Sequence, residues 1–94
     1  MKWLEIIELR SADGNRKLLE LRLKKLINEI DKEPKKQAFK TYTRVMIDTD
    51  FSIHLMHDSI KPEYIGSPIG LRVASALKEF GLVNHSVWIE MQSH

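Results

Sequence analysis

Between Ala38 and Ser59 the chain alternates apolar and polar residues with a period of two, which places successive side chains on opposite faces of a strand. Phe39, Thr41, Thr43, Val45 and Ile47 share one face, and Lys40, Tyr42, Arg44 and Met46 the other. After Asp48-Thr49-Asp50 the pattern resumes, with Phe51, Ile53, Leu55 and His57 against Ser52, His54, Met56 and Asp58. A three-residue loop at Asp48–Asp50 pairs Ile47 with Phe51, Val45 with Ile53, Thr43 with Leu55 and Thr41 with His57. A one-residue slip would turn the apolar sets to the wrong side. This register sets Arg44 opposite His54, Tyr42 opposite Met56 and Lys40 opposite Asp58. The second face is therefore mixed and calls for a cover.

Lys2 to Arg10 also alternates: Trp3, Ile7 and Leu9 lie on one side with Glu5, and Leu4 and Ile6 on the other with Glu8. Apolar residues on both sides predict a strand covered on both faces. Ser11 to Gly14 reads as a turn, with Asp13 or Asn15 available as a cap. From Asn15 to about Lys32 the period becomes helical, through Leu19, Leu23, Leu26, Ile27 and Ile30, with Leu18 and Leu21 widening the stripe. Pro34 ends this helix. Ile60 to Gly66 is a connector. Ser67-Pro68 opens a second helix as N-cap and first helical residue. Its stripe is Ile69, Val73, Ala76, Leu77 and Phe80, with Gly81 as a left-handed C-terminal residue. Leu82 to Met91 is a last strand, with Val83, His85, Val87, Ile89 and Met91 on one side.

Strand, helix, strand, strand, helix, strand, joined by right-handed crossovers, is the α+β, ferredoxin-like βαββαβ arrangement. It predicts a four-stranded antiparallel sheet of order 4-1-3-2 with two helices on one face, in a single domain spanning residues 1–94. Two helices leave the second sheet face bare, and a second copy of the chain is the simplest cover.

This order of elements resembles the dimeric α+β barrels, which include the antibiotic-biosynthesis-type monooxygenases. Those proteins end the third strand with an aromatic, a variable residue and Ser, before a helix that opens near Ser-Pro. The matching stretch here is His57-Asp58-Ser59, with Ser67-Pro68 further on, and His57 stands in place of the usual Trp. The haem-degrading branch uses an Asn on the first strand and a His on the second helix, and this sequence has neither. The resemblance implies a homodimer with a pocket between sheet and helices. It carries over no catalytic set.

Composition narrows the chemistry. The chain has no cysteine, so no disulfide, thiol nucleophile or thiolate metal site is available. No apolar run is long enough for a membrane span, and the opening MKWLEIIELR lacks the shape of a signal peptide, which points to a cytoplasmic protein. The net charge is +2, with eight Lys/Arg against four Asp/Glu between Gly14 and Lys36. Acidic residues are interleaved with this surplus and no aromatic platform accompanies it, so a solvated helix face is expected rather than a nucleic-acid interface.

His57 heads the connector, with Trp3, Thr41 and Met91 expected at the same end of the sheet. It is the candidate proton-handling residue. Tyr42, Arg44, His54 and Tyr64 are the candidate pocket residues. Arg44 would hold a carboxylate or enolate, and His54 would lie opposite it. His85 is expected at the far end of the sheet from His57, too distant to share a metal with it, and His94 is the terminal residue. No metal or other cofactor is expected. The expected function is binding of a small organic molecule by a homodimer, with cofactor-independent oxidation or isomerisation as the accompanying chemistry. The alternative is a non-catalytic dimeric module that binds a metabolite or a protein.

Overall fold

In the computed structural model, residues 1–12, 16–30 and 38–91 are described. The expected caps at Asp13 or Asn15, the helix stop at Pro34 and His94 lie outside them. The elements are β1 (Lys2–Ser11), α1 (Arg16–Ile30), β2 (Ala38–Arg44), β3 (Ile47–Asp58), α2 (Pro68–Leu77) and β4 (Gly81–Ile89). The strands form one antiparallel sheet of order β2-β3-β1-β4, the expected order read from the other edge.

Alternation sends Ile7, Leu9, Phe51, Ile53 and Leu55 to one face of the sheet, where they meet Leu19 and Leu23 of α1 and Val73, Ala74 and Leu77 of α2. All ten are buried. Leu26, Ile27 and Val83 pack at the margin. Leu18 and Leu21 do not widen the buried stripe of α1: they are 46% and 65% exposed. One stripe is enough because a single sheet face and α2 are all that α1 covers. On the other face Leu4 and Ile6 are half-buried, while Tyr42, Met56 and Trp88 are exposed.

The β2–β3 hairpin differs from the expected register. The turn is Val45–Met46, with Met46 at φ 63°, and Asp48, Thr49 and Asp50 belong to β3. Thr43 pairs with Phe51, Thr41 with Ile53 and Phe39 with Leu55, with an irregularity between Thr43 and Arg44. From Phe51 to Met56 the β2 partner of each β3 residue is thus four positions earlier than expected. An even shift leaves every side chain on its original face, so alternation cannot separate the two registers. Arginines hold the acidic stretch extended. Asp50 stands opposite Arg10 and takes ion pairs from Arg10 at 3.4 Å and Arg44 at 3.0 Å, and Asp48 pairs with Arg16 at 3.1 Å.

α2 begins as expected. Ser67 is the N-cap, with its hydroxyl accepting from the Gly70 N–H at 3.0 Å, and Pro68 follows. Its end differs: α2 stops at Leu77, and Gly81 already lies in β4, opposite Ser11. Gly81 is required by a close approach rather than by a left-handed cap. A Cβ there would lie 2.1 Å from the Arg10 carbonyl oxygen.

Candidate functional site

Glu5 sits in the middle of the central strand, on the helix-facing side, and is 0% exposed. A carboxylate without water must find donors within the protein. Three chain segments supply them. His57 Nε2 lies 2.7 Å from Oε1, His85 Nε2 lies 2.7 Å from Oε2, and the Ser67 N–H donates to Oε1 at 3.0 Å. Burial alone would push the Glu5 carboxyl up. The Ser67 hydroxyl and N–H, then His85 and His57, outweigh it and hold the group below its usual range. The donor nearest α2 is the N–H of its N-cap, Ser67; Pro68 has none, and the Gly70 N–H is taken by the Ser67 hydroxyl.

Strand register explains the convergence. On β1, His57 pairs at the level of Trp3 and His85 at the level of Ile7, with Glu5 between them on the same face. The expectation that His57 and His85 lie at opposite ends of the sheet is therefore corrected: both reach one carboxylate. Their side chains are 7% and 14% exposed. Trp3 stacks on the His57 ring, with centroids 4.0 Å apart, and donates from Nε1 to the Ser59 hydroxyl at 2.8 Å. Ser59 in turn donates to the Lys61 carbonyl, which ties the start of the connector to the same cluster.

The packing over Glu5 is tight. A Cβ at Gly70 would come within 1.8 Å of Glu5 Oε2, and one at Gly66 within 2.3 Å of His85 Cε1. Gly66 also has φ +110°, in the region that favours glycine. Glu5 was readable in the sequence as a charged residue on an otherwise apolar strand face, but its role depends on partners 52 and 80 residues away.

The other predicted site residues are dispersed. Arg44 is not opposite His54. It faces Ile47, bonds to Asp50 and leaves Lys40 opposite His54. The four-position register shift takes Arg44 away from His54, and the irregularity between Thr43 and Arg44 brings it opposite Ile47. His54 lies 2.9 Å from the Ser52 hydroxyl, and its ring is 4.6 Å from that of Tyr42, on the open sheet face. Thr41 pairs with Ile53 and so lies away from His57, and Tyr64 is 86% exposed on the connector. Met91, at the expected end of the sheet, is exposed.

A hollow of about 580 Å³ spans β3, β1 and β4 at the level of Trp3 and His57. Alternation puts Lys2, Leu4, Met56, Asp58, Trp88 and Glu90 on the open face there, and the rings of Trp3 and His57 on the helix side. Hollow and carboxylate cluster thus stand back to back across the sheet. Among the described residues no group of three or more His, Asp or Glu is placed to hold a metal ion, and no helix is long and apolar enough to cross a membrane.

No family model matches the chain, and no curated protein does. Solved structures do. Rv0793 from Mycobacterium tuberculosis superposes with a TM-score of 0.66 at 16% identity, over 99% of this chain and 98% of that one. A mutant of SnoaB, a cofactor-independent oxygenase from Streptomyces nogalater, gives 0.67 at 11% identity, over 98% of this chain and 95% of that one. The fold is ferredoxin-like α+β. These identities establish a shared ferredoxin-like architecture and no more.

Proposed function

We propose that the chain is a homodimeric α+β barrel protein that binds a small organic molecule, with His57 as the proton-handling residue. The observation that carries this reading is the His57–Glu5 pair: an imidazole fixed by a buried carboxylate, stacked under Trp3 at the end of β3. A carboxylate behind an imidazole orients the ring and stabilises the charge it gains on taking a proton. Supporting the dimer, Leu4, Ile6, Tyr42, Met56 and Trp88 line a sheet face that neither described helix covers. Within cofactor-independent oxidation or isomerisation, the fold likeness to SnoaB, a cofactor-independent oxygenase, supports the oxidation.

One observation favours the non-catalytic alternative. Gly66 and Gly70 leave no spare volume over the cluster, as expected of a polar group satisfied only for folding. Two measurements separate the readings. Light scattering at micromolar concentration should give a dimer, and a monomer would remove the barrel. Tryptophan fluorescence titrations with a panel of phenols and β-dicarbonyl compounds should show saturable binding that His57→Ala weakens at least tenfold. Equal binding by His57→Ala and wild type would make the cluster structural.

A further inference from the structure

We propose that Glu5 is a positioning residue that locks both His57 and His85 in the Nε2–H tautomer, so that Nδ1 of His57 is the atom that accepts a proton. This deepens, and rests on, the reading of His57 as the proton-handling residue. The argument begins with the hydrogen-bonding capacity of each group. An ionised carboxylate only accepts. Both Nε2 atoms stand 2.7 Å from its oxygens, so each must carry the hydrogen of that contact. In a neutral imidazole one nitrogen donates and the other keeps a lone pair, which is left on Nδ1 in both rings. Neither Nδ1 bonds to another described residue.

Oε1 also accepts the Ser67 N–H, which anchors the carboxylate to the N-cap of α2. Glu5 has almost no room to turn, because Gly70 lies against it. The stacked Trp3 restricts the tilt of the His57 ring. The rings are therefore held at both orientation and tautomer, one from each neighbour of the central strand. When a carbon or oxygen acid reaches His57, its C–H or O–H bond breaks and an Nδ1–H bond forms. The electron pair stays on the ligand as an enolate or phenolate. The resulting imidazolium keeps its Nε2–H on the Glu5 carboxylate, which gains no proton. The ligand class this favours is an enolisable carbonyl compound or a phenol.

The test reads the tautomers directly. Uniformly nitrogen-15-labelled protein is recorded in a long-range proton–nitrogen correlation at about pH 8.5, well above the ordinary imidazole range. His54→Ala and His94→Ala identify the other two rings by loss of their signals. His57 and His85 should both show a protonated Nε2 and a bare Nδ1. A protonated Nδ1 in either ring, alone or alongside a protonated Nε2, overturns the proposal. Glu5→Gln then supplies a side chain with one accepting and one donating end. At least one ring should exchange its protonated nitrogen from Nε2 to Nδ1, and unchanged tautomers in folded Glu5→Gln would also overturn it. Should that variant not fold, the wild-type spectrum alone decides. A dimer that binds none of the phenols or β-dicarbonyls while showing both Nε2–H rings refutes the proposed function and leaves the positioning role intact. Binding lost in His57→Ala with the other tautomer present does the reverse.

Discussion

Replacing Gly70 by Ala should destabilise this protein, against the ordinary trend for a helix. Ala is favoured over Gly within helices by about 1 kcal/mol, and a compatible Gly→Ala change stabilises by ~0.4–1 kcal/mol. Here the new methyl would stand 1.8 Å from Glu5 Oε2, and relief requires that oxygen to move out to at least 3.4 Å. The end of a flexible side chain normally makes such a move at little cost. Glu5 is not flexible: His57, His85 and Ser67 all hold it, without access to water. Losing one hydrogen bond to a charged group costs about 1.5–3 kcal/mol, and overpacking adds about 1–3 kcal/mol. After subtracting the helix preference, a net loss of roughly 1.5–5 kcal/mol remains, equivalent to a melting temperature lower by roughly 6–40 °C for a chain of this size. Urea and thermal denaturation at one fixed protein concentration would measure it. Glu5→Asp, whose shorter side chain draws the carboxylate back, makes room for the methyl. In that background Gly70→Ala should be neutral or mildly stabilising, which gives a coupling of at least ~1.5 kcal/mol. A Gly70→Ala protein as stable as wild type would refute the claim that the carboxylate is pinned.

Acid should weaken the fold through the same group. The folded-state pKa of Glu5 is lowered, so its contribution is fully present above the unfolded value of about 4.3 and is lost as pH falls through the folded value. Glu5→Gln should flatten stability against pH in that window, measured by urea melts, and an unchanged slope would count against the assignment. Leu55→Ala, at a fully buried position in β3, should cost about 2–5 kcal/mol by denaturant titration. Met56→Lys, on the open sheet face, should shift a dimer toward monomer in light scattering while leaving the tautomers of His57 and His85 unchanged.

Strand faces and sheet order were legible in the sequence because period two and a β-hairpin between two helices leave few arrangements. The N-cap at Ser67 was legible for the same local reason. Register was not. A shift of four residues in β2 preserves the faces of Phe39, Thr41 and Thr43, so alternation leaves it open, and the Arg44–Asp50 ion pair formed in the observed register joins groups that no periodicity links. Arg44 and His54 were separated by that shift alone. The cluster at Glu5 was hidden differently. Its residue types are common and its spacing follows no motif. Only the levels of His57 and His85 on either side of β1 bring two imidazoles to one carboxylate.

The contact between Glu5 and His85 spans 80 positions of the chain. β1 must pair with β3 and β4 on its two sides, and its acidic side chain is satisfied only when both have arrived. Until β4 docks, the carboxylate has to stay hydrated, which keeps the centre of the sheet open to water during assembly. Drying of this layer is then tied to closure of the longest loop, an entropically slow event. In kinetic terms, late docking of β4 predicts that variants of His85 accelerate unfolding far more than they retard folding, and a slowed folding limb of the chevron would refute it.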